Sequence, residues 1–446
     1  MEKPCANCEA LRRRVAELEA RLAEALRAGK RQAAPFAKGP PKPEPKKPGR
    51  KPGPDYGRKG HRPAPPPEHI DEVHEAPLPD ACPDCGGRLD ETDVQPQYQV
   101  EIPRRPIHRQ FNIHIGQCRS CARRVQGRHP LQTSDALGAA ASQLGPDAQA
   151  AVVELNKQAG LSHGKVSQVL HNLFGIDLTR GGSAQTILRA GRRSDEVFQS
   201  LLDSLPKSER LNLDETGWRV GGRLAWLHTL VSPAVTVYVV DPTRSGDVAE
   251  RLLGLDYAGL LGHDGWSVYD RFVQAHHQQC LAHLLRRCDE LLQTATGGAV
   301  LFPRRVKTLL EQALDLRDRH QAGQVSDHGV LVACGQLSHR LAKLVFPLKV
   351  HEANERFAQH LWKHREELFT FLKHPAIEAT NWPAEHAIRF GVILRKVWGG
   401  NRTWAGARAQ AGLMSFWRTC RQQGRSALDS LSQLLRGQLV VLVQPP

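Results

Sequence analysis

Apolar positions change period several times along the chain, and each change marks an element. From Glu9 to about Arg27, the residues Leu11, Val15, Leu18 and Leu22 fall on alternating four- and three-residue steps with charged residues between them. That is the a/d seam of a short coiled coil, predicted over 9–28. No apolar period survives in the next segment. Residues 35–67 hold twelve prolines and nine Lys or Arg, so 29–70 reads as an extended basic tether. Its sharper reading is a DNA-binding arm, with Arg50 and Lys51 entering a narrow minor groove. A helical pattern follows in PDAQAAVVELNKQ and AGLSHGKVSQVLHNLF, where Ser162 opens the second helix after a glycine-bearing turn. A third helix is predicted from about Ser183 to Leu205. Residues 135–206 thus form a helical, helix-turn-helix-like domain, with Lys165, Gln168 and His171 on one exposed face that can meet a DNA groove. An ordinary helical hairpin explains the same pattern.

From Leu211 the period becomes two. RLNLD, RLAWLHTLVS and TVYVVD are strand-like runs separated by the turns RVGGR and SPAV; the helix TRSGDVAERLLG and the apolar strand AGLLGHDGW come next. Three strands, a helix and a fourth strand predict a mixed sheet. Asp214 would end the first strand and Asp264 the fourth, and strand ends are where ligands gather in α/β sheets. The expected class is multidomain α+β, with an α/β domain over 207–420, a long helical stretch within it from about Gly297 to Lys373, and a tail over 421–446.

Charge narrows the partners. Lys plus Arg outnumber Asp plus Glu by 61 to 46, for a net +15, which favours nucleic acid or an anionic membrane surface. The apolar runs, such as LVVLV, fall short of the roughly 18 residues a spanning helix needs, and the N-terminus lacks a signal-peptide apolar region. A cytoplasmic, DNA-associated protein is expected. Ten cysteines are too few for a disulfide scaffold in a chain of this length. Cys82-Pro-Asp-Cys85 and Cys118-Arg-Ser-Cys121, with 32 residues between the pairs, instead suit a tetrahedral thiolate shell for structural Zn2+, giving a zinc ribbon over 71–130. Cys5-Ala-Asn-Cys8 is a weaker, lone pair. Cys280 and His283 invite a zinc reading, but with no second pair beside them the expectation is core packing or substrate positioning.

Asp214 in LNLDETGW, Asp264 in LLGHDGWSVYD and Glu385 in ATNWPAEHAIRFGVILRK are the candidate catalytic carboxylates. Mg2+, or Mn2+, prefers hard oxygen ligands, and two such ions can activate an attacking oxygen and stabilise a leaving one at phosphorus. In that scheme Asp214 bridges both ions, with Asp264 on one and Glu385 on the other. Arg389, Arg395, Lys396 and Arg402 follow Glu385 and are candidates for contacts to the DNA backbone. Trp398 and Trp404 could stack on an unpaired base, although aromatic core is their default.

The segments DETGWRVGGRLAWLHTL, HDGWSVYDRF, QCLAHLLRR and TNWPAEHAIRFGVILRKVWGGNRTWAGA resemble, in order, those of the insertion sequence 66 family of bacterial transposases. The resemblance extends to the heptad N-terminus, the basic Pro-rich arm and the double Cys-x-x-Cys. It implies an RNase H-like catalytic domain with a DDE triad at Asp214, Asp264 and Glu385, and a helical insertion at about 297–373. It also implies binding to terminal inverted repeats, Mg2+-dependent cleavage and strand transfer into target DNA, and accessory proteins from the same element. Two DNA ends must be held together, so a homo-oligomer is expected. The chain departs from the family where Asn381 is followed by Trp382 and Pro383, and Glu385 by His386; the family usually reads Asn-Asn and then Ala-Glu-Arg. Two other readings stay open: a catalytically inactive zinc-ribbon and helix-turn-helix DNA-binding protein derived from a transposase, and a structure-selective nuclease without strand transfer.

Overall fold

The computed structural model describes residues 64–443 apart from 101, 103, 104 and 139–142, together with 14, 15 and 17–19, which are helical. The rest of the expected coiled coil, the Cys5/Cys8 pair and the tether through residue 63, with Arg50 and Lys51, lie outside the described residues. The chain divides into two compact units, 1–105 and 106–446.

Among the described residues of the first unit there is no strand, and Val73, Val94 and Val100 face solvent. The alternation in YQVEIPRRPIHRQFNIHIGQC therefore builds less sheet than its pattern predicts. Among its described residues only the end forms a strand, β1 (Ile115–Gln117), which pairs antiparallel with β2 (Arg124–Gln126) in the second unit. Pro96 and Pro106 withhold the N–H groups a ladder needs.

The second unit is built round a five-stranded sheet of β3 (Arg210–Val220), β4 (Arg223–Val231), β5 (Thr236–Asp241), β6 (Leu260–His263) and β7 (His276–Gln279), in the order β5-β4-β3-β6-β7. The β3–β4 and β4–β5 pairs are antiparallel, while β3–β6 and β6–β7 are parallel. Strand β7 was not expected. Its sequence, HHQQ, carries no apolar signal, yet Gln278 and Gln279 are buried because their amides pair inside the protein, Gln278 Nε2 with the Leu368 carbonyl at 3.3 Å and Gln279 Nε2 with Glu367 at 3.0 Å.

Upstream lie α1 (Pro146–Val153), extended by one turn of π-helix over Glu154–Gln158, then α2 (His163–Phe174), α3 (Arg180–Arg193) and α4 (Asp195–Ser204). Ser162 caps α2 by accepting from the Lys165 N–H at 3.4 Å. The single third helix expected over 183–205 is two. They meet at Ser194, whose N–H is shared between the Ala190 and Gly191 carbonyls at 3.0 and 3.1 Å while its hydroxyl also donates to Gly191 at 2.9 Å. These helices bury Val152, Val166, Ile187 and Leu201 in the same apolar cluster as Leu211, Leu213 and Leu230 of the sheet.

After β5 the chain forms α5 (Asp247–Leu253) and, past β7, α6 (Leu281–Thr294). The predicted helical stretch then appears as α7 (Leu301–Gln321), α8 (Asp327–Val345), α9 (Glu352–Lys363) and the short α10 (Thr370–Lys373). It has its own core, in which Val306, Leu309, Leu341, Phe357 and Leu361 surround Leu284 and Cys288 of α6. Last come α11 (Trp382–Trp398), α12 (Trp404–Gln422) and α13 (Ala427–Leu435). The last of these lies in the stretch read as a tail; Leu431, Leu435, Val440 and Leu442 anchor it in the main cluster.

Edge strand β5 is closed off by α12. Ser415 and Thr419, one helical turn apart, accept from the Tyr238 N–H at 2.8 Å and the Thr236 N–H at 3.1 Å, and the Thr419 hydroxyl donates to the Thr236 carbonyl at 3.2 Å. Side-chain hydroxyls thus take the place of a sixth strand and cover an edge that would otherwise be open to pairing. Thr419→Val keeps the shape but strands two buried peptide groups. It is expected to lower stability by about 1–3 kcal/mol, read as a lower urea midpoint; an unchanged midpoint would show that the hydroxyl does not hold this edge.

Candidate active site

Side chains alternate across a strand, so Asn212, Asp214, Thr216 and Trp218 share one face of β3 and Leu211, Leu213 and Glu215 the other. Helix α11 lies on the first face, where Trp218, Leu227 and Tyr238 pack with Ala387, Leu394 and Met414. The helix comes so close that a Cβ on Gly391 would collide with Leu227. Asn381, buried just before α11, fixes its start. Its amide donates to the Leu213 carbonyl at 2.7 Å, and its own carbonyl oxygen accepts from Asn212 at 3.0 Å. Glu385 sits one turn further on, its N–H bonded to the Asn381 carbonyl at 3.0 Å. The Asn212 side chain has room only because its parallel partner on β6 is Gly262, where a Cβ would collide with the amide.

Asp214 does not end its strand, as the sequence suggested; it lies inside β3, paired with Thr229 of β4. What ends there is the other pairing. The β3–β6 ladder stops at Asn212↔Gly262, so Asp214 and Asp264 each lie two residues past the same rung, on neighbouring strands about 4.8 Å apart, where the sheet opens. Asp264 is held by a hydrogen bond from the Trp266 N–H at 2.9 Å. The turn that carries it is tied back to β3 through Glu215, whose carboxylate accepts from Arg244 at 2.7 Å and from the Tyr269 hydroxyl at 2.7 Å. Arg244 is itself sandwiched between Trp226 and Trp266.

Strand register, the Asn381 bracket and the helical turn put Asp264 and Glu385 close enough to Asp214 for both charges to act on it. Among the described residues, the groups whose ligand atoms all lie within 4.8 Å of one another include Glu385 with Cys280 and His283 but not the three carboxylates together. Burial first, then the negative charges of Glu215, Asp264 and Glu385, push the Asp214 carboxyl up to about 7, against which the Glu215 N–H bond to it at 2.9 Å works only partly. A partly buried carboxyl that feels the charges of neighbouring carboxylates is chemically suited to a hard divalent cation.

Glu385 also meets side chains that sequence reasoning set aside. Cys280 caps α6, and its thiol lies 3.5 Å from Glu385 Oε1; His283 Nδ1 lies 3.4 Å from the same oxygen. Burial, with the Glu385 charge, pushes the Cys280 thiol up. The pairing with Glu385 was invisible because 105 residues separate Cys280 from it.

Among the other predicted residues, Arg389 and Lys396 are exposed on α11, Arg402 is exposed in the loop after it beside Gly221 at the far end of β3, and Lys165 and Gln168 are exposed on α2. Arg395 is half-buried and donates to the Gly217 carbonyl, bracing β3. Trp398 packs edge-on against Trp218, and Trp404 is half-exposed. His386, at the departure from the family pattern, stacks on Trp382 and lies 3.4 Å from Arg418 Nη2, so a cation from α12 stands beside it.

The two Cys-x-x-Cys pairs form turns of one design. In the first unit Cys82 N–H donates to the Gly87 carbonyl at 2.9 Å and Gly86 N–H to the Cys82 carbonyl at 2.8 Å. In the second, Cys118 N–H donates to Arg123 at 2.9 Å and Ala122 N–H to Cys118 at 2.9 Å. The residue after the second cysteine takes a left-handed conformation in both, Gly86 at φ 72° and Ala122 at φ 57°. Backbone N–H groups of Cys85 and Asp84, and of Cys121 and Ser120, point at the first sulfur and lower the Cys82 and Cys118 thiols, which suits thiolate ligands.

Residues 141–409, well over half of the chain and including all three carboxylates, match the family model described as Transposase IS66 family. The chain belongs to the IS66 family of transposases. An uncharacterized protein of Sinorhizobium fredii, y4qI, is 25% identical over 416 residues, covering 82% of this chain and 72% of its own length. Membership in a transposase family implies an enzyme that binds, cuts and transfers DNA, and a use for divalent metal. No helix among the described residues is long and apolar enough to cross a membrane.

Because the fold raises the Asp214 pKa, its contribution favours the folded state at low pH and is lost as pH rises from about 4 through about 7. Asp214→Asn should therefore stabilise metal-free protein at about pH 8 by on the order of 1–4 kcal/mol, with a smaller gain near pH 4. Urea unfolding in chelator at the two pH values reads this; an equal effect at both would remove the charge crowding.

Proposed function

We propose that this transposase is a DDE enzyme that binds the terminal inverted repeats of its insertion sequence, cleaves there with Mg2+ or Mn2+, and joins the freed end to target DNA. The observation that carries the reading is that Asp214, just past the last β3–β6 rung, feels the charges of both Asp264 and Glu385. Three antiparallel strands followed by two parallel ones, with the third carboxylate on a helix across the sheet, support an RNase H-like frame for 207–420, interrupted by α7–α10.

Asp214, Asp264 and Glu385 would be the carboxylates that hold the two ions. Those ions, when bound, lower the barrier to in-line displacement at phosphorus by activating the attacking oxygen and stabilising the leaving one. The chain's own part is placement. Asn381 and Asn212 fix the helix against the strand, and Arg244 neutralises Glu215 so that it does not compete for the cations. Arg389, one turn past Glu385 on the exposed side of α11, suits a contact to a phosphate oxygen; Lys396 and Arg402 offer positive charge farther along the same helix and the loop after it, and α2 offers Lys165 and Gln168 to a second stretch of DNA. His386 and Arg418 fill the place where the family carries arginine.

The Cys-x-x-Cys pairs, by spacing and by the geometry of each turn, suit a shared structural Zn2+. Purified protein should carry about one zinc ion in this set, lost in Cys82→Ser/Cys118→Ser; retention of that zinc in the variant would exclude these ligands.

Asp214→Asn, Asp264→Asn and Glu385→Gln should each abolish nicking of a labelled element end in Mg2+ while the protein still shifts that DNA in a gel. Cutting by any one variant would take that residue out of the triad. Wild-type protein that shifts the end without nicking it in Mg2+ or Mn2+ would instead be a silent DNA-binding descendant of a transposase, and nicked but never joined products would identify a nuclease.

A further inference from the structure

Cys280, His283 and Glu385 have ligand atoms that all lie within 4.8 Å of one another. The separations are those a shared metal would set, although the Cys280 thiol also donates a hydrogen bond to Glu385 at 3.5 Å. A tetrahedral ion with bonds of about 2.3 Å to sulfur, 2.05 Å to nitrogen and 2.1 Å to oxygen sets sulfur and oxygen about 3.6 Å apart and nitrogen and oxygen about 3.4 Å apart. Here Sγ to Oε1 is 3.5 Å and Nδ1 to Oε1 is 3.4 Å. His283 Nδ1 is buried and has no hydrogen-bond partner, one of few such atoms among the described residues, so its lone pair is unclaimed.

The neighbouring histidine cluster is a useful contrast. His263, His277 and Glu367 are equally close, but both rings there are spoken for. His263 Nδ1 accepts from the Gly265 N–H at 3.0 Å, His263 Nε2 faces His277 Nδ1 at 3.0 Å, and His277 Nε2 donates to the Phe272 carbonyl at 2.9 Å. Glu367 is bonded to Gln279 and His364. That cluster is a closed hydrogen-bond chain, whereas the one at Cys280 is open.

Backbone structure holds the open set in place. Cys280 N–H donates to the His263 carbonyl at 2.8 Å and Leu281 N–H to the Ala379 carbonyl at 3.0 Å, so the start of α6 is pinned between β6 and the segment leading into α11. Cys280 and His283, three residues apart in the first turn, face the same side.

We propose that Cys280, His283 and Glu385 form a three-ligand site for a zinc-class ion, separate from the Cys-x-x-Cys set and sharing Glu385 with the carboxylate trio. Sulfur and imidazole select zinc over magnesium, and three protein ligands leave a fourth position open. Zinc bound there takes Glu385 from the magnesium site and holds cleavage in check. That consequence rests on the function proposed above; the binding site does not.

The test is zinc binding by the full chain. Zinc retained against a chromophoric chelator is measured for wild type and for Cys280→Ser/His283→Ala, with circular dichroism confirming that both are folded. Wild type should hold about one more zinc ion per chain than the variant, and Glu385→Gln should bind that ion at least about tenfold more weakly. If the double variant does not fold, His283→Asn replaces it, since that side chain is 35% exposed. Equal zinc content in wild type and a folded variant would overturn the site, whether or not the protein nicks DNA; loss of nicking in the triad variants with no extra zinc would leave the DDE reading standing alone.

Discussion

One buried amide sets the helix of this site against its strand. Asn381 ties the start of α11 to the backbone of β3 at Leu213 and to the side chain of Asn212, and that bond fixes Glu385 relative to Asp214. Asp214 lies one residue past Leu213 on β3, Asp264 two residues past Gly262 on the neighbouring strand, and Glu385 one helical turn past Asn381. A side-chain amide suits the task because it can donate to a carbonyl and accept from a second amide at once, so neither buried polar group is left unpaired.

Such a site needs a stiff frame, since bringing like charges together costs free energy that the rest of the fold must offset. The frame is visible on every side: α12 covers the β5 edge with hydroxyls, Arg244 clamps Glu215 and the Asp264 turn between two tryptophans, and Arg395 braces the far end of β3. The cost appears in the Asp214 carboxyl, pushed up to about 7. In the proposed function, cations would offset this crowding, and a chain of net charge +15 suits a polyanionic substrate.

Much of this was legible in the sequence, for identifiable reasons. The strands from Leu211 to Asp241 alternate cleanly because one face packs on α11 and α12 and the other on the upstream helices. Ser162 announces α2 because a hydroxyl there meets the free N–H groups of a helix start. What escaped notice was held by polar rather than apolar burial. Strand β7 reads HHQQ and is fixed by amide and imidazole bonds. The division at Ser194 is a local change in the main-chain bonds there, and the role of Asn381 rests on partners 168 and 169 residues away. The link from Cys280 and His283 to Glu385 is of the same kind. Asp214 was read as a strand end because the apolar run RLNLD stops there, although β3 continues through TGWRV along β4.

The most direct measurement is anomalous diffraction from crystals of the full chain soaked in Mn2+. Convergence of the three carboxylates predicts manganese peaks where the sheet opens, at about 2.1 Å from oxygens of Asp214, Asp264 and Glu385. Manganese bound only elsewhere, or contacting Asp214 with Asp264 and Glu385 turned away, would contradict it.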